Sequence, residues 1–83
     1  MDYYLFIARS MTQAQQMVRA LGQCGIRADM LRAPAGLTEF GCGYAVRIRG
    51  QQVDEARVCL GKAQVAPFHI FAREKGVYRE VET

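Results

Sequence analysis

Histidine, proline and long apolar runs are scarce in this 83-residue chain, and their scarcity excludes several classes of protein. No stretch approaches the length that a membrane-spanning helix needs. The first residues include an apolar run, but an acidic residue precedes it, whereas a signal peptide needs a basic start, a longer apolar region and a small-residue cleavage site. We therefore expect a cytoplasmic protein that has no contact with a membrane.

Metal-ligating residues are equally few. The chain has one histidine, His69, and three cysteines, Cys24, Cys42 and Cys59. An odd number of cysteines without a secretory signal argues against a disulfide framework, and no CxxC pair is present. A structural zinc site would need ligands at a regular spacing that these residues do not show. The sequence therefore predicts neither a metal nor another cofactor.

The apolar half of the composition predicts one globular domain with a small core, so a functional site belongs on the surface or in a loop. The net charge of +3 is carried by arginines scattered among acids, which argues against nucleic acid as the partner. Arg32, Arg47 and Arg49 would form a local anion-binding patch if their strands pair. The alternative is that they are the solvated face of those strands.

Apolar periodicity predicts the first half of the fold. "YYLFIA", residues 3–8, is typical of a strand buried on both faces. A helix is predicted over residues 11–24, with Ser10 and Gln13 at the spacing of a capping box. "IRADMLRAP" and "YAVRIRG" alternate as strands, and the stretch "APAGLTEFGCG" between them is a loop of about ten residues, longer than most hairpin loops.

The second half completes a β-α-β-β-α-β order. "QQVDEARVCLGKAQ" has helical spacing, with acids in its first turn and Lys62 in its last, and "APFHIFAREKG" begins as a fourth strand. This order predicts an α+β, ferredoxin-like fold with two helices on one face of a four-stranded antiparallel sheet. Residues 1–76 would form the single domain, and residues 77–83 a C-terminal tail or a short extra strand.

The three cysteines are predicted to differ in role. Cys24 and Cys59 lie on or beside the apolar stripes of the two helices, which favours packing in the core. Cys42 lies in the long loop between Gly41 and Gly43, which leave the thiol open and let backbone N–H groups turn toward it. Nearby arginines favour the reactive thiolate. The glycines are equally compatible with a simple turn, so both interpretations stay open at this point.

A catalytic partner for Cys42 is missing from the sequence. A cysteine hydrolase needs a base, normally a histidine, and nothing in the spacing places His69 beside the thiol. A histidine within a dense apolar strand is more often structural than functional. Thiol exchange needs only a thiolate and access, so the sequence favours carrying a sulfur-family atom over enzymatic turnover.

The residues around this thiol resemble a known family, the selenium/sulfur-carrier-like proteins, small domains of unknown function with a Cys-Gly motif. The similarity extends over roughly residues 2–72. It rests on the following residues: the aromatic Tyr3, Tyr4 and Phe6, then Pro34, the pair Cys42 and Gly43, and Arg47. Members often have an arginine after the proline and a serine before the cysteine, where this chain has Ala35 and Gly41.

The resemblance implies a sulfur or selenium carrier. Cys42 would accept a persulfide or selenosulfide from a donor enzyme of the cysteine desulfurase type and pass it to an acceptor enzyme. Gly41 and Gly43 would give access and backbone donors, and Arg47 would offset the charge of the loaded sulfur.

Two other functions stay open for the chain. One is a non-catalytic binding module that uses its open sheet face for a protein, a small ligand or RNA, and the other is a cysteine-based redox sensor. An exposed face or edge would also allow a homodimer.

Overall fold

The computed structural model of the chain describes residues 3–34, 43–65, 67 and 69–81. The described residues form one five-stranded antiparallel sheet with the order β2-β3-β1-β4-β5, together with two α-helices. The strands are β1 (Tyr3–Ala8), β2 (Asp29–Arg32), β3 (Tyr44–Arg49), β4 (His69–Glu74) and β5 (Val77–Val81). The helices are α1 (Met11–Gln23) and α2 (Val53–Ala63), and a 3₁₀ turn at Gly50–Gln52 leads into α2. No helix in these described ranges is long and apolar enough to cross a membrane.

The prediction of a four-stranded, ferredoxin-like β-α-β-β-α-β sheet is wrong, because β5 adds a fifth strand beside β4. The turn between these strands consists of Lys75 and Gly76, both with positive φ, at 52° and 81°. Two such residues between paired strands match the twist of an antiparallel hairpin. Glycine adopts this conformation without steric cost, and it allows the chain to turn back on β4 instead of ending as a tail.

Helix α1 begins where its sequence predicts. The hydroxyl of Ser10 accepts a hydrogen bond from the backbone N–H of Gln13 at 3.1 Å, as an N-cap should. The side chain of Gln13 turns back and accepts from the backbone N–H of Arg9 at 2.8 Å. This differs from the standard capping box, in which the acceptor is paired with the N-cap residue itself.

The main core lies between the two helices and one face of the sheet. Its centre is Phe6 of β1, which is fully buried together with Met17 and Leu21 of α1. Leu60 of α2 and Ile48 of β3 complete the contact. Burial of large apolar side chains from four elements is the main force that holds the helices on this face.

A second, smaller cluster lies on the sheet face that points away from the helices. Leu5 and Ile7 of β1 are 0% and 2% exposed, and Ala45 and Phe71 from the flanking strands join them. Alternation along β1 places these residues opposite Phe6 and Ala8, so β1 is buried on both faces, as its apolar sequence predicts. We refer to this side of the sheet as the second face.

Candidate functional site

The β2–β3 hairpin carries the segment in which the reactive thiol is predicted. Its pairing continues one step past the strands, because the backbone N–H of Ala33 donates to the carbonyl of Gly43 at 3.0 Å. Gly41 and Cys42 themselves lie outside the described residues. The hairpin therefore brings the two ends of the connecting segment together immediately next to Cys42 in the sequence.

The space around Gly43 would accept a side chain. A Cβ atom built on it would lie 3.5 Å from the carbonyl oxygen of Ala8, which is an ordinary van der Waals contact. What glycine contributes at this position is the absence of a side chain beside the cysteine that precedes it. The predicted role of Gly43 in access to the thiol stays a prediction.

Arg47 lies on β3 and its side chain is on the second face. Its Nη2 donates to Oδ2 of Asp29 at 2.9 Å, and its guanidinium carbon lies 5.8 Å from the centre of the Tyr3 ring. Arg47 follows Gly43 by four residues, which corresponds to about 13 Å along an extended strand. Its described contacts are thus with Asp29 and Tyr3, and a contribution to Cys42 stays a prediction.

The predicted cluster of Arg32, Arg47 and Arg49 does not form. Arg32 is paired in register with Tyr44, three residues along the strand from the pair of Asp29 and Arg47. Because successive residues of a strand point to opposite faces, Arg32 is on the helix side of the sheet, and Arg47 and Arg49 are on the second face. The strands pair as expected, but the register separates the charges.

Cys24 and Cys59 form a disulfide, so the prediction from the odd number of cysteines, which argued against disulfides, is wrong, as is the prediction that Cys24 packs in the core. Cys24 is the C-cap residue of α1 and is exposed, whereas Cys59 is buried on the inner side of α2 and is 5% exposed. Their Cα atoms are 6.5 Å apart, within the range that a disulfide spans. Local patterns could not reveal the pair, because it depends on how the two helices pack.

The disulfide has a direct consequence for the third cysteine. A disulfide sulfur forms one S–S bond, so the pairing of Cys24 and Cys59 leaves Cys42 without either as a covalent partner. The chain has three cysteines in all. Cys42 is therefore the one cysteine that can supply a thiol while this disulfide is intact.

His69 has a structural environment on the second face. Its Nδ1 lies 2.6 Å from Oε2 of Glu80 on the neighbouring strand, and its ring centre lies 6.2 Å from that of Phe71. The contact with Glu80 joins β4 to β5. Among the described residues, no group of three or more histidine, cysteine, aspartate or glutamate side chains could hold a metal ion.

A cluster of aromatic and basic side chains on the second face is not among the features predicted from the sequence. Tyr3, Arg73 and Tyr78 lie on three neighbouring strands at the same level of the sheet. The signal for them was the period-two alternation of "FAREKGVYRE", which places Arg73 opposite Tyr78 once the stretch is folded into a hairpin. Without the fifth strand, the sequence pattern predicts no neighbour for Tyr78.

Comparison with known proteins identifies one family. The family model described as "Putative Se/S carrier protein-like" matches residues 3–72, which includes both helices, β1 to β3, most of β4 and the Cys42 segment. Neither the curated proteins nor the solved structures gave a significant match. The family match thus covers most of the chain and agrees with the resemblance based on its Cys-Gly motif.

Proposed function

Because the chain belongs to the putative Se/S carrier protein-like family, we propose that it carries sulfur or selenium on the thiol of Cys42. The observation that carries this proposal is the disulfide between Cys24 and Cys59, which leaves Cys42 as the cysteine available for transfer. A small domain suits a carrier, because the transferred atom must be reached by two larger proteins in turn.

Loading would proceed by attack of the Cys42 thiolate on the terminal sulfur of a donor persulfide. The new bond gives a Cys42 persulfide, the S–S bond of the donor breaks, and the donor cysteine leaves as a thiolate. A nucleophile of the acceptor enzyme then takes the terminal sulfur and returns the Cys42 thiolate. Neither step has a net oxidant or reductant, and neither needs a general base, because thiolate exchange depends on ionisation and access.

The donor would be an enzyme of the cysteine desulfurase type, which holds sulfur as an enzyme-bound persulfide. Selenium would be transferred by the same steps, and Cys42 would then carry it as a selenosulfide. Gly41 and Gly43 would keep the approach to Cys42 free of side chains. Arg47 would contribute positive charge toward the loaded sulfur, although its hydrogen bond to Asp29 shows that it also holds β2 against β3.

The direct test is intact-protein mass spectrometry after incubation with a cysteine desulfurase and cysteine, without reductant. The expected result is a gain of one sulfur atom that is lost on later reduction, and no gain in Cys42→Ser. The matched control is the double variant Cys24→Ser and Cys59→Ser, which keeps Cys42 as its cysteine and should still be loaded. Equal loading of the parent and Cys42→Ser, or no loading of either, would overturn the proposal. Replacing cysteine by selenocysteine in the same assay tests selenium.

A further inference from the structure

A stack of alternating aromatic rings and guanidinium groups runs across the second face. The guanidinium carbon of Arg73 lies 5.4 Å from the centre of the Tyr3 ring and 5.8 Å from that of Tyr78. Arg47 lies on the other side of Tyr3, at 5.8 Å. Arginine over an aromatic ring at these distances is held by cation–π attraction, which fixes the guanidinium without using its N–H donors.

The stack has more hydrogen-bond donors than acceptors. The hydroxyl oxygens of Tyr3 and Tyr78 are 3.2 Å apart, so one hydroxyl donates to the other and the second proton needs another acceptor. Nε of Arg73 is buried and has no hydrogen-bond partner among the residues that the structure describes. A buried donor without an acceptor is costly and rare, and here it lies beside a spare hydroxyl proton.

Arg49 adds a second cation at the same level. In the sheet register Tyr3 has Arg49 on one side and Arg73 on the other. Because neighbouring strands are about 4.8 Å apart, the two arginines begin about 10 Å from one another, with Tyr3 between them. Within the residues that the structure describes, neither has a carboxylate in salt-bridge distance, whereas Arg47 is paired with Asp29.

We propose that the second face binds the phosphate group of a small phosphorylated compound between Arg49 and Arg73, with a hydroxyl of the pair formed by Tyr3 and Tyr78 as an additional donor. Two guanidinium groups and a hydroxyl offer more donors than the two oxygens of a carboxylate can accept, whereas a phosphate has three or four oxygens and about two negative charges. The rings hold Arg73 in place before the ligand arrives, so little side-chain entropy is lost on binding.

This site is separate from the proposed chemistry of Cys42. It lies where β1 and β5 begin and β3 and β4 end, whereas Gly43 is next to Ala8 at the opposite end of β1. A strand of six residues separates the two ends, which corresponds to about 17 Å. Phosphate binding therefore does not depend on the carrier function, and each can be tested without the other.

The experiment is an NMR titration of the full chain with pyrophosphate as the probe, following the Nε–Hε signals of the arginine side chains. The Arg49 and Arg73 signals should shift and saturate together. Arg73→Gln should weaken binding at least tenfold, and Tyr78→Phe should weaken it a few-fold. The matched control is Arg57→Gln, which removes the same charge from an exposed position of α2 and should leave the affinity unchanged.

Several outcomes would overturn the proposal. The first is a loss of pyrophosphate affinity in Arg57→Gln as large as that in Arg73→Gln. The second is a titration in which the arginine signals do not saturate. The third is selective binding of single-stranded RNA with an affinity that grows with the length of the RNA. Arg73→Lys keeps the charge and the long apolar stem, so it provides a second variant if Arg73→Gln fails to fold. It should still lose affinity, because an ammonium lacks the planar fork of a guanidinium. Cys42→Ser should bind pyrophosphate normally, so a failure of the carrier proposal would not be mistaken for a failure of this one.

Discussion

Cys24 at the C-terminal end of α1 is bonded to Cys59 within α2, although 35 residues separate them in the sequence. The bond ties together two helices that cover the same core. A chain of this size buries a small core and has little stability to spare, so a covalent link between its two helices has a large relative effect.

Breaking this bond should lower stability substantially. Closing a loop of about 35 residues restricts the unfolded chain by about 3.8 kcal/mol in the loop-entropy model. We therefore expect Cys24→Ser to lower the free energy of unfolding by about 2–4 kcal/mol in urea denaturation. Cys24 is exposed, so the substitution removes little packing, and the freed Cys59 thiol can donate to the carbonyl of Ala20, which lies 3.2 Å from its sulfur.

The matched control is Cys42→Ser, which also removes one sulfur but leaves the disulfide intact. Reduction of this variant should lower its unfolding midpoint as it does in the parent, whereas Cys24→Ser should be insensitive to reductant. If the parent unfolds at the same urea concentration with and without reductant, the bond does not contribute to stability.

The same pairing predicts how many thiols react. Under native, non-reducing conditions the parent should take up one equivalent of an alkylating reagent, located on Cys42 by peptide mass spectrometry. Cys42→Ser should take up none, and reduction in denaturant should raise the parent to three. Two or more adducts on the native protein would show that Cys24 and Cys59 are not paired in solution.

The local sequence pattern is sufficient to predict the elements whose apolar residues repeat regularly. The predicted helix over 11–24 matches Met11–Gln23 with Cys24 as its cap, and the apolar "YYLFIA" is β1. The sequence does not decide between a tail and a fifth strand, because Lys75 and Gly76 are not one of the common hairpin pairs and the exposed alternation of "VYREV" carries little apolar signal.

The features missed at the candidate sites depend on contacts between distant segments. The disulfide requires the relative position of two helices, and the separation of Arg32 from Arg47 requires the strand register. A register shift of one residue would have reversed every side chain on β2. The prediction of Cys42 depends instead on its glycine neighbours and on the family resemblance, which need no tertiary structure.

The core between helix and sheet should depend strongly on Met17. Its side chain is fully buried, whereas Met11 at the start of the same helix is 46% exposed. Met17→Ala should lower the free energy of unfolding by about 2–5 kcal/mol, because it removes apolar contacts and leaves a cavity. Met11→Ala is the matched control and should change it by less than about 0.5 kcal/mol. Similar effects of the two substitutions in urea denaturation would contradict this description of the core.

The contact between Tyr3 and Tyr78 should be visible in the ionisation of Tyr78. The hydrogen bond between the hydroxyls of Tyr78 and Tyr3, followed by partial burial, raises the pKa of Tyr78 above its usual value of 10.0, against the opposing charge of Arg73. The folded state therefore holds the Tyr78 proton to a higher pH than the unfolded state, so stability should fall as the pH rises above about 10. Tyr3→Phe removes the hydroxyl partner, and it should lower the pKa of Tyr78 and weaken this pH dependence.

The measurement is the ¹³Cζ shift of Tyr78 against pH, which follows one tyrosine at a time. Tyr44→Phe is the control, because Tyr44 lies on the helix side of the sheet and should leave the titration of Tyr78 unchanged. Because the guanidinium of Arg73 favours the ionised hydroxyl, Arg73→Gln should move the pKa of Tyr78 in the opposite direction, further upward. A Tyr78 pKa that is the same in the parent and in Tyr3→Phe would show that the two hydroxyls are not hydrogen-bonded in solution.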